Sequence, residues 1–135
     1  MRLERATAYG ILALAHMAGR KAKTPQQVHH ISKETGVPVE YLRKLMGRLA
    51  RARLINSTRG RHGGFTLGRP ANKITMLQIV EAIEGPIDPA SVLHDDLALG
   101  RKDATAKRLQ KWRESVTQRV RKTLGVTTLG QITGK

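Results

Sequence analysis

Between residues 42 and 68 the spacing of apolar residues changes once, and that change constrains the fold more than any other feature. Leu42, Leu45, Met46 and Leu49 recur at i, i+3, i+4 and i+7, which lines one side of an α-helix. The stretches "LINST" and "GFTLG", on either side of the glycine-rich run "RGRHG", are instead strand-like. A glycine-rich connection between two short strands is a β-hairpin, so a helix leads directly into a hairpin. Aromatic residues make up only 3% of the 135-residue chain, so its core must be built from aliphatic side chains and methionine, which suits packed helices. The expected fold is mainly α with a small β-hairpin, of a length that fits one domain or one domain plus an appended helix.

The remaining helices follow from the same periodicity. Residues 3–18 are apolar almost all round, as in a helix enclosed by others. Thr24-Pro25 reads as a cap followed by a proline at the first helical position, opening a helix of about three turns that ends before Gly36. After the short connection "GVPVE", Pro38 and Glu40 open the helix that runs to about Arg53. Two helices joined by a tight glycine-containing turn form a helix-turn-helix, and the hairpin after the second helix is a wing.

Charge indicates what such a unit touches. The chain carries a formal +15, and residues 1–75 hold 15 Lys and Arg against 3 Asp and Glu. A concentrated positive field favours a polyanion, with nucleic acid ahead of anionic membrane. On the second helix Glu40, Arg43, Lys44, Gly47 and Arg48 follow one another at helical spacing, with Arg51 a turn beyond, on a side other than the apolar one. Arg59 and Arg61 at the hairpin tip, with Gly60 and His62 between and beside them, are placed to reach a narrow minor groove and its phosphates. Candidates for positioning on phosphates are Arg2, Arg5, Lys33, Arg51, Arg53 and Arg61; candidates for base or groove readout are Glu40, Tyr41, Arg43, Lys44, Arg48 and Arg59.

Downstream, "ITMLQIVEAIEG" forms a further packing helix of the same unit, stopped by Gly85-Pro86. Residues 1–85 therefore form the expected winged helix-turn-helix domain. Residues 86–100, with two prolines and the only acidic cluster, form a linker or sensing loop. In residues 101–135, Leu109, Trp112, Val116, Val120 and Leu124 make one apolar stripe along a long basic helix, a pattern that suits pairing with a second copy of the chain. Thr127 or Thr128 then caps one last turn.

The segments "YGILALAHMA", "ISKETGVPVEYLRKLMGRLARARLINSTRGRHGGFTLGRP", "ITMLQIVEAIEG" and "TLGQIT" together resemble the Rrf-two family of winged helix-turn-helix transcription regulators. The resemblance spans almost the whole chain. It implies a homodimer on a roughly palindromic operator, with the long C-terminal helix crossing to the partner, Arg59 in the minor groove and Pro38 to Lys44 in the major groove. One branch of that family holds an iron–sulfur cluster on three cysteines, where this chain reads "PIDPASVLHDDLALGRKDATAK" and has no cysteine at all. Sensing through such a cluster or through thiol oxidation is therefore not carried over. A small-molecule effector or a partner protein is left as the source of any signal.

Other readings meet specific objections. "GRHGG" lacks the lysine and hydroxyl of a phosphate-binding P-loop. His29 and His30 are neighbours about 100° apart on a helix and cannot share a face. His94, Asp95 and Asp96 are three adjacent groups in a soft loop, a poor cage for a divalent ion, so no metal and no cofactor is expected. With no cysteine nucleophile, no nucleophile elbow and no zinc-binding histidine pair, an enzyme is not expected either. A small basic RNA-binding or ribosome-associated protein would share the charge, but such proteins often stack bases on exposed aromatics, which are few here. The expectation is a cytoplasmic, homodimeric repressor that occupies double-stranded operator DNA, with no membrane partner.

Overall fold

The computed structural model describes residues 2–19, 24–92, 94 and 100–134. Helix α1 (Arg5–Ala18) lies at the centre, in contact with α2 (Val28–Thr35), α3 (Val39–Arg51), α4 (Met76–Glu84) and α7 (Leu129–Thr133). Its apolar residues face neighbours on several sides, and Gly10 lets Ile83 of α4 press directly against the helix backbone.

The turn between α2 and α3 is held by several short bonds. Gly36 adopts the left-handed conformation (φ 80°) and its N–H donates to the Ser32 carbonyl at 2.8 Å. The Ser32 hydroxyl donates to the Val37 carbonyl, and the Thr35 hydroxyl to that of Ile31 at 2.6 Å. Leu42, Leu45, Met46 and Leu49 of α3 are all buried, as their spacing predicts. The helix ends in a Schellman motif, with the N–H of Leu54 donating to the Leu49 carbonyl and that of Arg53 to Ala50, each at 3.0 Å. Arg53 takes the left-handed position (φ 61°) usually filled by glycine, and Leu49 and Leu54 are both buried in the same core.

That turn aims the chain into the hairpin of β1 (Ile55–Thr58) and β2 (Gly64–Leu67), antiparallel with Ile55 opposite Leu67 and Thr58 opposite Gly64. Helix α2 departs from expectation. It begins at Val28 rather than at Thr24-Pro25, and its 8 residues make just over two turns. The cause is tertiary: Gln26 pairs with Phe65, each N–H donating to the other's carbonyl at 2.9 and 2.8 Å, which holds residue 26 extended.

Helix α4 opens with a reciprocal capping box, the Gln78 N–H donating to Thr75 Oγ1 at 3.1 Å and the Thr75 N–H to Gln78 Oε1 at 2.9 Å. The segment after it is docked rather than free-running. Glu81 Oε2 accepts from the Ile87 N–H at 2.9 Å and from the Arg121 guanidinium at 2.8 Å, and the same arginine donates to the Ile87 carbonyl. A short helix, α5 (Pro89–Val92), follows and packs on α6 (Ala104–Val126). Asp103 caps α6 by accepting from the Ala106 N–H at 3.0 Å. That bond, with a further one from Arg101, holds the Asp103 carboxyl below its usual range.

The chain then returns to its beginning. Met76 N–H donates to the Thr127 carbonyl and Leu129 N–H to the Ile74 carbonyl, both at 2.8 Å, and Thr128 opens α7 with a second capping box to Gln131. Leu129 is fully enclosed in the core formed by α1, α3 and α4. Leu129→Ala should therefore cost about 2–5 kcal/mol of unfolding free energy, measured by urea denaturation at fixed protein concentration. A terminal segment that merely trailed the domain would show almost no change.

Candidate nucleic-acid interface

With its apolar stripe buried, α3 has only one side left for solvent. Each residue advances the helix by 100°, so Glu40, Lys44, Gly47 and Arg51 stand opposite the buried four, and the three charged residues are exposed. Arg43 and Arg48 fall on opposite flanks of that line. Arg43 turns toward α2, its Nη2 3.1 Å from Nε2 of His29 and its Nε 3.5 Å from Glu40 Oε1. Arg48 turns the other way, its Nη1 donating to the Ile83 carbonyl at 2.9 Å near the end of α4. The expectation that Arg43 and Arg48 share one wall is therefore corrected: Arg48 satisfies a carbonyl in the last turn of a neighbouring helix. Tyr41 stands on the Arg48 flank, 41% exposed, with its ring edge-on to Tyr9 of α1 at 5.3 Å between centroids.

The wing lies beside the start of α2. Arg59, Gly60, Arg61 and His62 at its tip are all exposed. Its second strand begins in tight backbone contact: a Cβ on Gly64 would stand 2.6 Å from the Gln26 carbonyl carbon, at a φ of 144° that disfavours any side chain. Arg61 and His62 share a cleft of about 740 Å³ with Thr24, Gln26, Gln27 and His30, at the start of α2. His29, on the same turn of α2, meets Arg43. The wing tip thus lines a cleft with the first turn of α2 through His30, and Arg43 of α3 meets that turn through His29. Lys33, one turn beyond His29 on α2, is exposed on the same side of its helix. Pro38 is the exposed N-cap residue of α3, while Arg2, Arg5 and Arg53 are exposed outside this chain of contacts.

Gln26 is the residue that sequence reasoning missed. It carries no charge and falls in no motif, and its backbone becomes a third strand position only because Phe65 comes to lie beside it.

The stripe on α6 divides. Leu124 packs against the chain's own core, and Thr117 and Arg121 on the same side face inward. Trp112 is 57% exposed, and Leu109, Val116 and Val120 are half-buried beside it. Leu124, expected at the partner contact, is half-buried and packs on the chain's own core. His94 is exposed, and Asp95 and Asp96 lie outside the described residues. Among the described residues, no group of three or more His, Cys, Asp or Glu could hold a metal ion, and no helix is long and apolar enough to cross a membrane.

Against this geometry the sequence pattern of one family, Rrf2, described as an iron-dependent transcriptional regulator, matches residues 3–135. The chain belongs to the Rrf2 family. Among Rrf2 relatives it is 33% identical over 88 residues to the HTH-type transcriptional regulator CymR of Bacillus subtilis, covering 65% of this chain and 64% of that protein. It is 32% identical over 88 residues to the HTH-type transcriptional regulator IscR of Xenorhabdus nematophila, 65% of this chain and 54% of the relative. Both alignments thus span less than two thirds of the curated relative's length. The solved structure of CymR, the global cysteine regulator of B. subtilis, superposes with a TM-score of 0.78 at 27% identity, covering 99% of this chain and 97% of that one. That of Staphylococcus aureus CymR gives 0.70 at 26% identity, with 98% of each chain covered. These relatives are named as transcription regulators, not enzymes. The iron in the family's description does not fit this chain as a cysteine-held cluster, because the donor set contains no thiol.

The tight contact at the start of β2 leads to a measurable expectation. Gly64→Ala should break the pairing of Phe65 with Gln26, remove hydrogen-exchange protection from those two amides and cost about 1–3 kcal/mol. Unaltered protection at both would show that the wing is held by other contacts.

Proposed function

We propose that this chain is a cytoplasmic, homodimeric transcription regulator that binds double-stranded DNA and represses by occupying a palindromic operator. The observation that carries the reading is the gathering of exposed cations about the first turn of α2, where Arg61 of the wing shares a cleft with His30 and Arg43 of α3 meets His29. A rigid cationic surface built on a helix and a hairpin matches a duplex, where phosphates set affinity and base edges set choice. Glu40, Arg43 and Lys44, at the start of α3, enter the major groove; Arg43 or Lys44 suits guanine and Glu40 a cytosine amino group. Arg59 enters the adjoining minor groove, with Gly60 giving backbone access and Arg61 and His62 on its phosphates. Arg51 and Lys33 contact phosphates along the same surface, and Arg2 and Arg5 serve the flanking backbone. Pro38, Tyr41 and Arg48 support the setting of α3 rather than reading bases.

In this reading residues 1–85 are the DNA-binding unit, 86–100 the connecting segment and 101–135 the dimerisation part, where Leu109, Trp112, Val116 and Val120 meet a second copy. A symmetric pair places its two α3 helices about 34 Å apart, one turn of duplex, or a multiple of it. Any small-molecule signal acts without cysteine chemistry. None of the relatives favours the RNA-binding alternative.

Selection of random duplex by the purified protein at about 150 mM salt tests the function, because non-specific binding weakens steeply as salt rises. An enriched inverted repeat is expected; structured RNA winning in competition, or no enrichment of either, overturns the reading. On the selected site Arg59→Ala should weaken binding by about 1–3 kcal/mol, and by less on random duplex. Equal losses on both would make Arg59 a phosphate contact. Trp112→Ala should loosen the dimer by about 3 kcal/mol, seen as dissociation at lower dilution in sedimentation, whereas an unchanged profile would remove Trp112 from the interface.

A further inference from the structure

The meeting of Arg43 with His29 has a chemical requirement. A guanidinium has donors only, so the 3.1 Å contact of Arg43 Nη2 with Nε2 of His29 is a hydrogen bond when that ring nitrogen presents its lone pair. The same guanidinium pairs with Glu40, whose Oε1 lies 3.5 Å from Nε. Glu40 belongs to the same helix as Arg43, and His29 belongs to the preceding one. Tethers from two helices restrict the arginine fork and leave its remaining N–H groups for a ligand. An untethered arginine at a half-exposed position samples many rotamers and settles on phosphates as readily as on a base edge.

We propose that His29 is a positioning residue for Arg43: its imidazole, meeting the guanidinium across the α2–α3 junction, holds it in the orientation that discriminates bases. The inference rests on the reading of α3 as the recognition helix.

Selection from random duplex with full-length wild type, His29→Ala, His29→Gln and Arg43→Ala tests this. His29 is exposed, so neither of its substitutions disturbs the core. Glutamine offers a carbonyl acceptor in place of the ring nitrogen. At the base position relaxed by Arg43→Ala, His29→Ala should flatten the preference about five- to tenfold, while affinity for random duplex changes little. His29→Gln should keep the preference. The inference is overturned if His29→Ala keeps the preference or if His29→Gln loses it equally. If Arg43→Ala relaxes no position, the recognition role of α3 fails and this inference with it; if Arg43→Ala relaxes one and His29→Ala does not, only the inference fails.

Discussion

Burial of one side of α3 decides where almost everything else in the molecule faces. Leu42, Leu45, Met46 and Leu49 are at most 2% exposed, and each such side chain contributes about 1.5–3 kcal/mol when taken out of water. Together they resist any rotation of the helix about its axis, because a turn of 100° would exchange apolar for charged residues in the core. With the rotation set, Glu40, Lys44 and Arg51 have nowhere to go but outward. The same burial extends through Leu54, whose place beside Leu49 closes the Schellman turn and directs β1 away from the helix end. Arg53 holds a left-handed conformation there at some cost, offset by the packing on either side of it.

The wing belongs to the body of the domain for a second reason. A two-stranded hairpin on its own is marginal in water, and here Gln26 supplies a third strand position along β2. This pairing shortens α2 at its beginning, because a residue whose N–H and carbonyl both serve a sheet cannot also serve a helix. It also brings the wing tip beside the first turn of α2. Main-chain bonds, and not a flexible loop, thus hold Arg61 and His62 beside the start of α2.

The C-terminal third is tied down near the end of its long helix. Arg121 and Glu81 clasp the chain around Ile87, and the 127–129 segment pairs with residues 74–76 so that Leu129 enters the central core. Nearer the start of α6, Trp112 stands 57% exposed, with Leu109, Val116 and Val120 half-buried beside it. The absence of cysteine separates this member from thiol and cluster chemistry without touching any of these contacts.

Much of this was legible in the chain itself. The buried side of α3, the hairpin and its glycines, a cap at Thr127 or Thr128, the long amphipathic helix and the positive field all follow from spacing and residue type, since each depends on neighbours within a few positions. What could not be read depended on pairing across long separations. Gln26 gives no local sign of meeting Phe65, nor Thr127 of meeting Met76, and main-chain bonds of this kind leave no mark on side-chain chemistry. The fates of Arg43, Arg48 and Leu124 were hidden for a related reason. Helical spacing tells which residues share a side, but only the packed neighbours decide which of them is drawn onto an imidazole, which onto a carbonyl, and which into the core.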